Sequence, residues 1–142
     1  MTSEKQALET FTINIRIQLS AIWTAVMFCY IYGDYFELYV PGKTEGLVNG
    51  QNMLNSPAKL FLATVILTLP ALMIFLSLLL RPRLAKWLNI SVGLFFTLFT
   101  LLVGISSISD WKAFYVVLAL LESVLTATIV VLSWKWPRMK AA

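Results

Sequence analysis

Two groupings of residues have the type and spacing to do chemistry. The first is Glu122, the charged residue inside an otherwise apolar stretch from Lys112 to Trp134. In a helix it would stand roughly 15 Å along the axis from Lys112, near the middle of a bilayer. An ionised carboxylate at that depth is expensive, so such residues face a bundle interior and mark proton relays or ligand sites. No lysine or arginine stands at that depth in any other span, so the neutral acid is the expected form. Glu122 could serve as a hydrogen-bonded packing lock, as a proton or ligand site, or as a lipid- or oligomer-facing residue. The second grouping lies in CYIYGDYFELYVPG, Cys29 to Gly42, where Tyr30, Asp34 and Glu37 fall at i, i+4 and i+7 and so share one helix face. Tyr30 would lie about 13 Å below Tyr39 along the axis, at nearly the depth of Glu122. The matched depth predicts a contact between the Tyr30 hydroxyl and Glu122, with Asp34 one turn above. Asp34 and Glu122 would then line one cavity opening outward. Glu37 is expected to be a solvated boundary residue.

The rest of the composition limits what these groups can do. The chain has 142 residues, no histidine and one cysteine, Cys29. A lone cysteine cannot form an intramolecular disulfide or a CxxC pair and reads as an inert buried thiol. Without histidine there is no His-ligated haem and no Ser-His-Asp or Cys-His machinery, and ligands for zinc are too few. No cofactor, no metal and no enzymatic activity are therefore expected. A membrane enzyme acting on a lipid or quinone, with Glu122 or Asp34 as acid–base, is the weakest of the readings.

The elements that must position these residues are transmembrane helices. Hydrophobic residues make up 59% of the chain and charged ones 13%, against about 25% charged in ordinary soluble domains. Four segments are long and apolar enough to cross a bilayer, at about 15–39, 59–80, 84–109 and 112–134. Open strands would leave backbone groups unpaired in lipid, so four helices in a single membrane domain are expected. Residues 41–58 read as a polar loop, with Pro41-Gly42 ending the first helix. Ser56 and Pro57 form a helix start, and Ser109 or Asp110 could cap the fourth span. Residues 1–14 lack the pattern of a cleavable signal; Ser3 and Gln6 suggest an interfacial helical lead-in, although residues 11–17 also alternate like a strand.

Eight of the eleven basic residues fall on one side of this topology (Lys5, Arg16, Arg81, Arg83, Lys86, Lys135, Arg138 and Lys140) and Lys43, Lys59 and Lys112 on the other. That asymmetry predicts both termini in the cytoplasm, and it explains the net charge of +4 without nucleic acid. Tyr32, Tyr35 and Tyr39, with Trp111 and Tyr115, read as an outer aromatic belt, and Trp134 and Trp136 as its inner counterpart. Pro70 lies mid-span in the second helix, a static kink or a candidate hinge. Gly93, Thr97, Thr100 and Gly104 would let the third helix approach a neighbour closely, inside the bundle or at a dimer seam. Asn89 and Ser91 begin the third span with no special role.

These residues also carry a resemblance. The run Trp23 to Met27 leading to Y-I-Y-x-D (Tyr30 to Asp34), the Pro-Gly after the first helix, Pro70, Glu122 and the closing W-K-W-P (Trp134 to Pro137) resemble a family of small, uncharacterised bacterial four-helix membrane proteins. The resemblance covers Leu19 to Pro137 and implies topology and a bacterial inner membrane, with no assigned activity. More distantly the chain is similar to DoxX-like four-helix proteins. Three functions are carried forward: a non-enzymatic module that binds a lipid, a membrane partner or another copy of itself; a small proton-coupled transporter; and the membrane enzyme above. The transporter reading resembles small multidrug exporters in size and in having one buried glutamate, but departs from them because their essential glutamate lies in the first helix. Expected partners are the bilayer and a homo-oligomer or membrane protein, with no nucleic acid.

Overall fold

A computed structural model of the chain describes residues 12–137. It contains α1 (Ile15–Glu37), α2 (Lys43–Val48), α3 (Pro57–Leu79), α4 (Pro82–Ser106) and α5 (Ala113–Trp134), with one 3₁₀ turn at Asp110–Lys112 before α5. No strand occurs among the described residues. The α1, α3 and α4 helices and the Asp110–Trp134 segment are each long and apolar enough to cross a membrane. The all-α, four-span architecture follows from this.

Local chemistry sets the ends. The Asn14 side chain accepts the Arg16 N–H at 3.0 Å and starts α1, and residues 12–14 are not helical. The Ser3–Gln6 capping box lies outside the described residues. The Ser56 hydroxyl accepts the Lys59 N–H at 3.3 Å, with Pro57 at the first helical position of α3. No side-chain cap is made by Ser109 or Asp110. The α1 helix stops at Glu37, two residues short of Tyr39, and the chain turns through Gly42 at φ 76°, a left-handed conformation that glycine adopts without steric penalty. The connection that reads as a polar loop contains α2, because Lys43 pairs with Glu37 and the Thr44 hydroxyl donates to the Leu38 carbonyl at 3.0 Å.

The four spans form a ring in which α1 packs against α3 and α5, and α4 packs against α5 and α3. Leu19, Trp23 and Val26 recur on one face of α1 and meet Met73, Phe96 and Ile129 in the core. Trp23 and Phe96 pack edge to face, their ring centres 6.2 Å apart. The closest seam is between α4 and α5. A Cβ on Gly93 would stand 3.0 Å from Val130 Cγ2, and one on Gly104 would stand 3.0 Å from Ala119 Cβ. The Thr97 and Thr126 hydroxyls lie 2.8 Å apart across it, as do those of Thr100 and Ser123. The small residues of α4 therefore face a neighbour within the bundle.

One buried side chain joins three of the spans. Asn89 is fully buried; its Oδ1 accepts from Trp23 Nε1 on α1 at 2.8 Å and lies 3.2 Å from the Ser77 hydroxyl of α3. Its Nδ2 donates to the Ala85 carbonyl at 2.8 Å. Asn89 thus has a structural role that the sequence does not disclose, since its partners are 66 and 12 residues away. At the same end of the bundle Arg16 donates to the Leu78 carbonyl at 2.8 Å, and Lys86 to the Trp134 carbonyl at 3.1 Å. Each cation serves the last turn of another helix, where carbonyls lack intrahelical partners and the dipole is negative.

The opposite end, where α1 stops and α3 begins, is looser. No residue of α3 from 57 to 69 is buried, whereas Pro70, Met73 and Ser77 are. The helix continues through Pro70, whose missing N–H leaves the Ile66 carbonyl without its usual helical donor. Pro70 thus marks the level at which α3 joins the packed core.

Replacing Asn89 with Leu should lower stability by about 1–2 kcal/mol, because the buried Trp23 Nε1–H is left unpaired. Unfolding in mixed micelles measures this, and the double variant with Trp23→Phe should recover much of the loss. A double variant as unstable as the sum of the singles would show that the two side chains do not act through this bond.

Candidate functional site

The loop-end half of the bundle encloses a cavity of about 230 Å³ to which all four spans contribute. With about 30 Å³ per molecule in liquid water, that is room for several waters or a small organic molecule. Tyr30, Gly33 and Asp34 come from α1; Ala63, Ile66 and Leu67 from the unburied half of α3; Phe99, Thr100 and Val103 from α4. The α5 helix adds Tyr115, Leu118, Ala119 and Glu122, so its residues at i, i+3, i+4 and i+7 line one wall. The space arises where α3 stands off from the tightly seamed α4–α5 pair.

The polar groups of the spans are otherwise well satisfied. Hydroxyls of Thr24, Thr64, Thr68, Ser77, Thr97, Thr100, Ser123, Thr126 and Thr128 each donate to the carbonyl one turn earlier in their own helix. Such back-bonding is how short polar side chains are accommodated where water is absent. Glu122 is the exception. It is 6% exposed, lines the cavity, and its carboxyl makes no hydrogen bond or ion pair with any described residue. The Tyr30 hydroxyl is also buried without a partner, as is that of Ser133 at the other end of the bundle. The sequence-predicted hydrogen bond between Tyr30 and Glu122 is therefore not formed, although the two line the same cavity. Asp34 lines it too, and its exposed side chain places it at the opening.

Glu37 behaves differently from the solvated residue expected. Its side chain is 19% exposed and pairs with Lys43 Nζ at 2.7 Å and Lys112 Nζ at 3.6 Å. This cluster clamps the end of α1 to the start of α2 and to the turn before α5. It also engages two of the three basic residues expected on that side, and Lys59 donates to Asn55 at 2.8 Å. None of the cavity-lining residues is basic.

The aromatic residues divide into two sets. Tyr32, Tyr35 and Tyr39 are exposed, with the hydroxyls of Tyr35 and Tyr39 2.8 Å apart, and Trp111 is exposed as well. Tyr115, grouped with them on depth, instead lines the cavity together with Tyr30 and Phe99. Its position on the Ala119–Glu122 face of α5 was the available signal. Trp134 is exposed, whereas Trp136 packs against the core. Cys29 is a buried free thiol.

The family model described as "Family of unknown function (DUF6326)" matches residues 8–142. The chain belongs to DUF6326. No curated protein and no solved structure matches it. For this DUF6326 chain the chemistry of the site therefore rests on its own geometry: an apolar chamber with one buried and one peripheral carboxyl, two phenols and no cation.

Because the Glu122 carboxyl has no partner in the bundle, Glu122→Leu should leave stability unchanged or raise it by about 1 kcal/mol. Unfolding in mixed micelles reads this directly. A loss larger than that would show that the carboxyl holds the helices together and is a packing lock.

Proposed function

We propose that the protein is a non-enzymatic membrane module that binds a small, largely apolar molecule in the cavity between its four spans. The observation that carries this reading is Glu122, a residue only 6% exposed whose carboxyl has no protein partner among the described residues and lines a chamber that could hold such a molecule. A carboxyl placed among apolar walls with no protein partner is costly to keep, and one retained there commonly serves a site. A binding site is typically concave and mostly apolar with a few convergent polar groups, and this chamber has that character. The poverty of nucleophiles and of histidine supports binding over catalysis. Apolar side chains exposed around the outer faces of the spans suit contact with lipid.

The reading includes a bacterial inner membrane with both termini in the cytoplasm, which the basic asymmetry supports. Arg16, Lys86 and the Arg81–Arg83 turn stand at one end of the bundle and the cavity lies toward the other, so the cavity would open outward. Similarity to DoxX-like proteins rests on architecture and brings no activity with it.

A second reading, a small proton-coupled transporter, is favoured by the same carboxyl and by Pro70, at which packed and open halves of α3 meet. It requires a second opening at the basic end, now closed by Trp23, Asn89 and Ser77. In liposomes, a proton gradient should then drive uptake by wild type and not by Glu122→Gln; no proton-linked flux across a broad panel of substrates sinks this reading.

For the binding reading, the protein in lipid nanodiscs should gain thermal stability with at least one member of a panel of small aromatic amphiphiles. Ala63→Phe, which fills the chamber from the loosely packed half of α3, should abolish that gain while leaving the helix content intact. A panel without effect on wild type would overturn the reading, as would a gain that survives Ala63→Phe.

A further inference from the structure

We infer that the cavity takes an organic monocation: a primary-to-quaternary ammonium group carried on a compact apolar or aromatic body. This rests on the binding reading above and specifies its ligand class.

The inference starts from charge placement. Glu122 and Asp34 line the same chamber, and none of its walls carries lysine or arginine. The two basic residues that converge on this end of α1, Lys43 and Lys112, are engaged by Glu37, at 2.7 and 3.6 Å. Neither cavity carboxyl forms a salt bridge with a described lysine or arginine, although Lys43 lies near enough to Asp34 to act on its charge. Asp34 stands at the opening, where a carboxylate raises the local concentration of cations. Glu122 lies deeper, 6% exposed, and its carboxyl is still in want of a partner. An anionic ligand would face two carboxyls, whereas an ammonium group beside Glu122 would favour the ionised form of a carboxyl otherwise expected to be neutral.

The remaining walls select among cations. Calcium takes six to eight oxygen ligands and magnesium demands an octahedral set, whereas this chamber offers two carboxyls among mainly apolar neighbours. An organic cation needs little more than one carboxylate and aromatic faces. Tyr30, Phe99 and Tyr115 supply three aromatic rings from three different helices, and such rings attract ammonium groups through their quadrupoles. Ile66, Leu67 and Leu118 would surround the apolar body. A cavity of about 230 Å³ limits that body to a compact one.

The test uses an isosteric pair: benzyltrimethylammonium, and neopentylbenzene, in which carbon replaces the nitrogen. Binding to the full chain in nanodiscs is followed by equilibrium dialysis, with empty nanodiscs subtracted. Wild type should bind the cation at least about tenfold more tightly than the neutral isostere. Glu122→Gln should lose most of that preference, and Asp34→Asn should lose part of it. Equal affinity of wild type for both compounds would overturn the cation inference and leave the binding reading standing. Binding of neither would overturn both. A preference undiminished in Glu122→Gln, with helix content and unfolding temperature unchanged from wild type, would place the charge recognition elsewhere and also overturn the inference.

Discussion

The constraint on which the whole structure depends is how few partners polar groups have on four helices long and apolar enough to cross a membrane. In lipid a polar group must be satisfied by the protein or left at a cost, and a chain this apolar has few groups to spare for the purpose. The fold meets the demand with short-range devices. Hydroxyls of serine and threonine return to their own helices, and the Asn89 amide takes the Trp23 indole N–H while donating to the Ala85 carbonyl. Arg16 and Lys86 reach the terminal carbonyls of other helices. At the basic end the spans are held by these specific bonds as well as by packing, although the buried Ser133 hydroxyl has no partner. Hydrophobic association alone would not fix their register, since lipid is as apolar as leucine.

The site is what this economy leaves over. Close contact at Gly93 and Gly104 draws α4 and α5 into one unit, and Trp23 and Asn89 tie α1 and α4 together lower down. The α3 helix has buried residues only from Pro70 onward, with Ile66 packing against the core from the turn before it. Its first half has no buried residue, and Ala63, Ile66 and Leu67 from it form one side of the chamber. The two unsatisfied groups that face this space, the Glu122 carboxyl and the Tyr30 hydroxyl, are there because the helices that could supply partners do not close over them. The proline that reads as a kink or hinge is thus the boundary between a packed half and an open half of one helix.

Much of this was legible in the sequence, and the limits of legibility have physical causes. Apolar runs of span length dictate the helices, because nothing else satisfies backbone groups in a bilayer. The grouping of Tyr30, Asp34 and Glu122 followed from depth alone, since the rise per residue is fixed. Depth carries no information on which way a helix faces. For that reason Tyr115 passed for a belt residue and Glu37 for a solvated one, and depth could not say that Tyr30 and Glu122 share a cavity without a hydrogen bond. Asn89 went unrecognised for a different reason: its partners come from α1 and α3, and no local pattern encodes a bond between residues 66 apart. The short α2 was hidden because its helix depends on the ion pair and the Thr44 bond that fold it back on the end of α1.

Glu37, Asp34 and Glu122 therefore have separate roles that the sequence conceals. Glu37 and Asp34 lie three residues apart on α1, yet only Glu37 holds lysines, and that pairing pins α1 to α2 and to the turn before α5. A partly exposed pair of this kind contributes little stability by itself. Its greater consequence is electrostatic. Were Lys43 or Lys112 free to swing toward the opening, the carboxyl of Asp34 would be the nearest acid to neutralise and the chamber would lose its negative character. With both lysines on Glu37, neither forms a salt bridge with Asp34 or Glu122. The same short motif thus provides the closure of the bundle at its rim and the charge of the cavity beneath it.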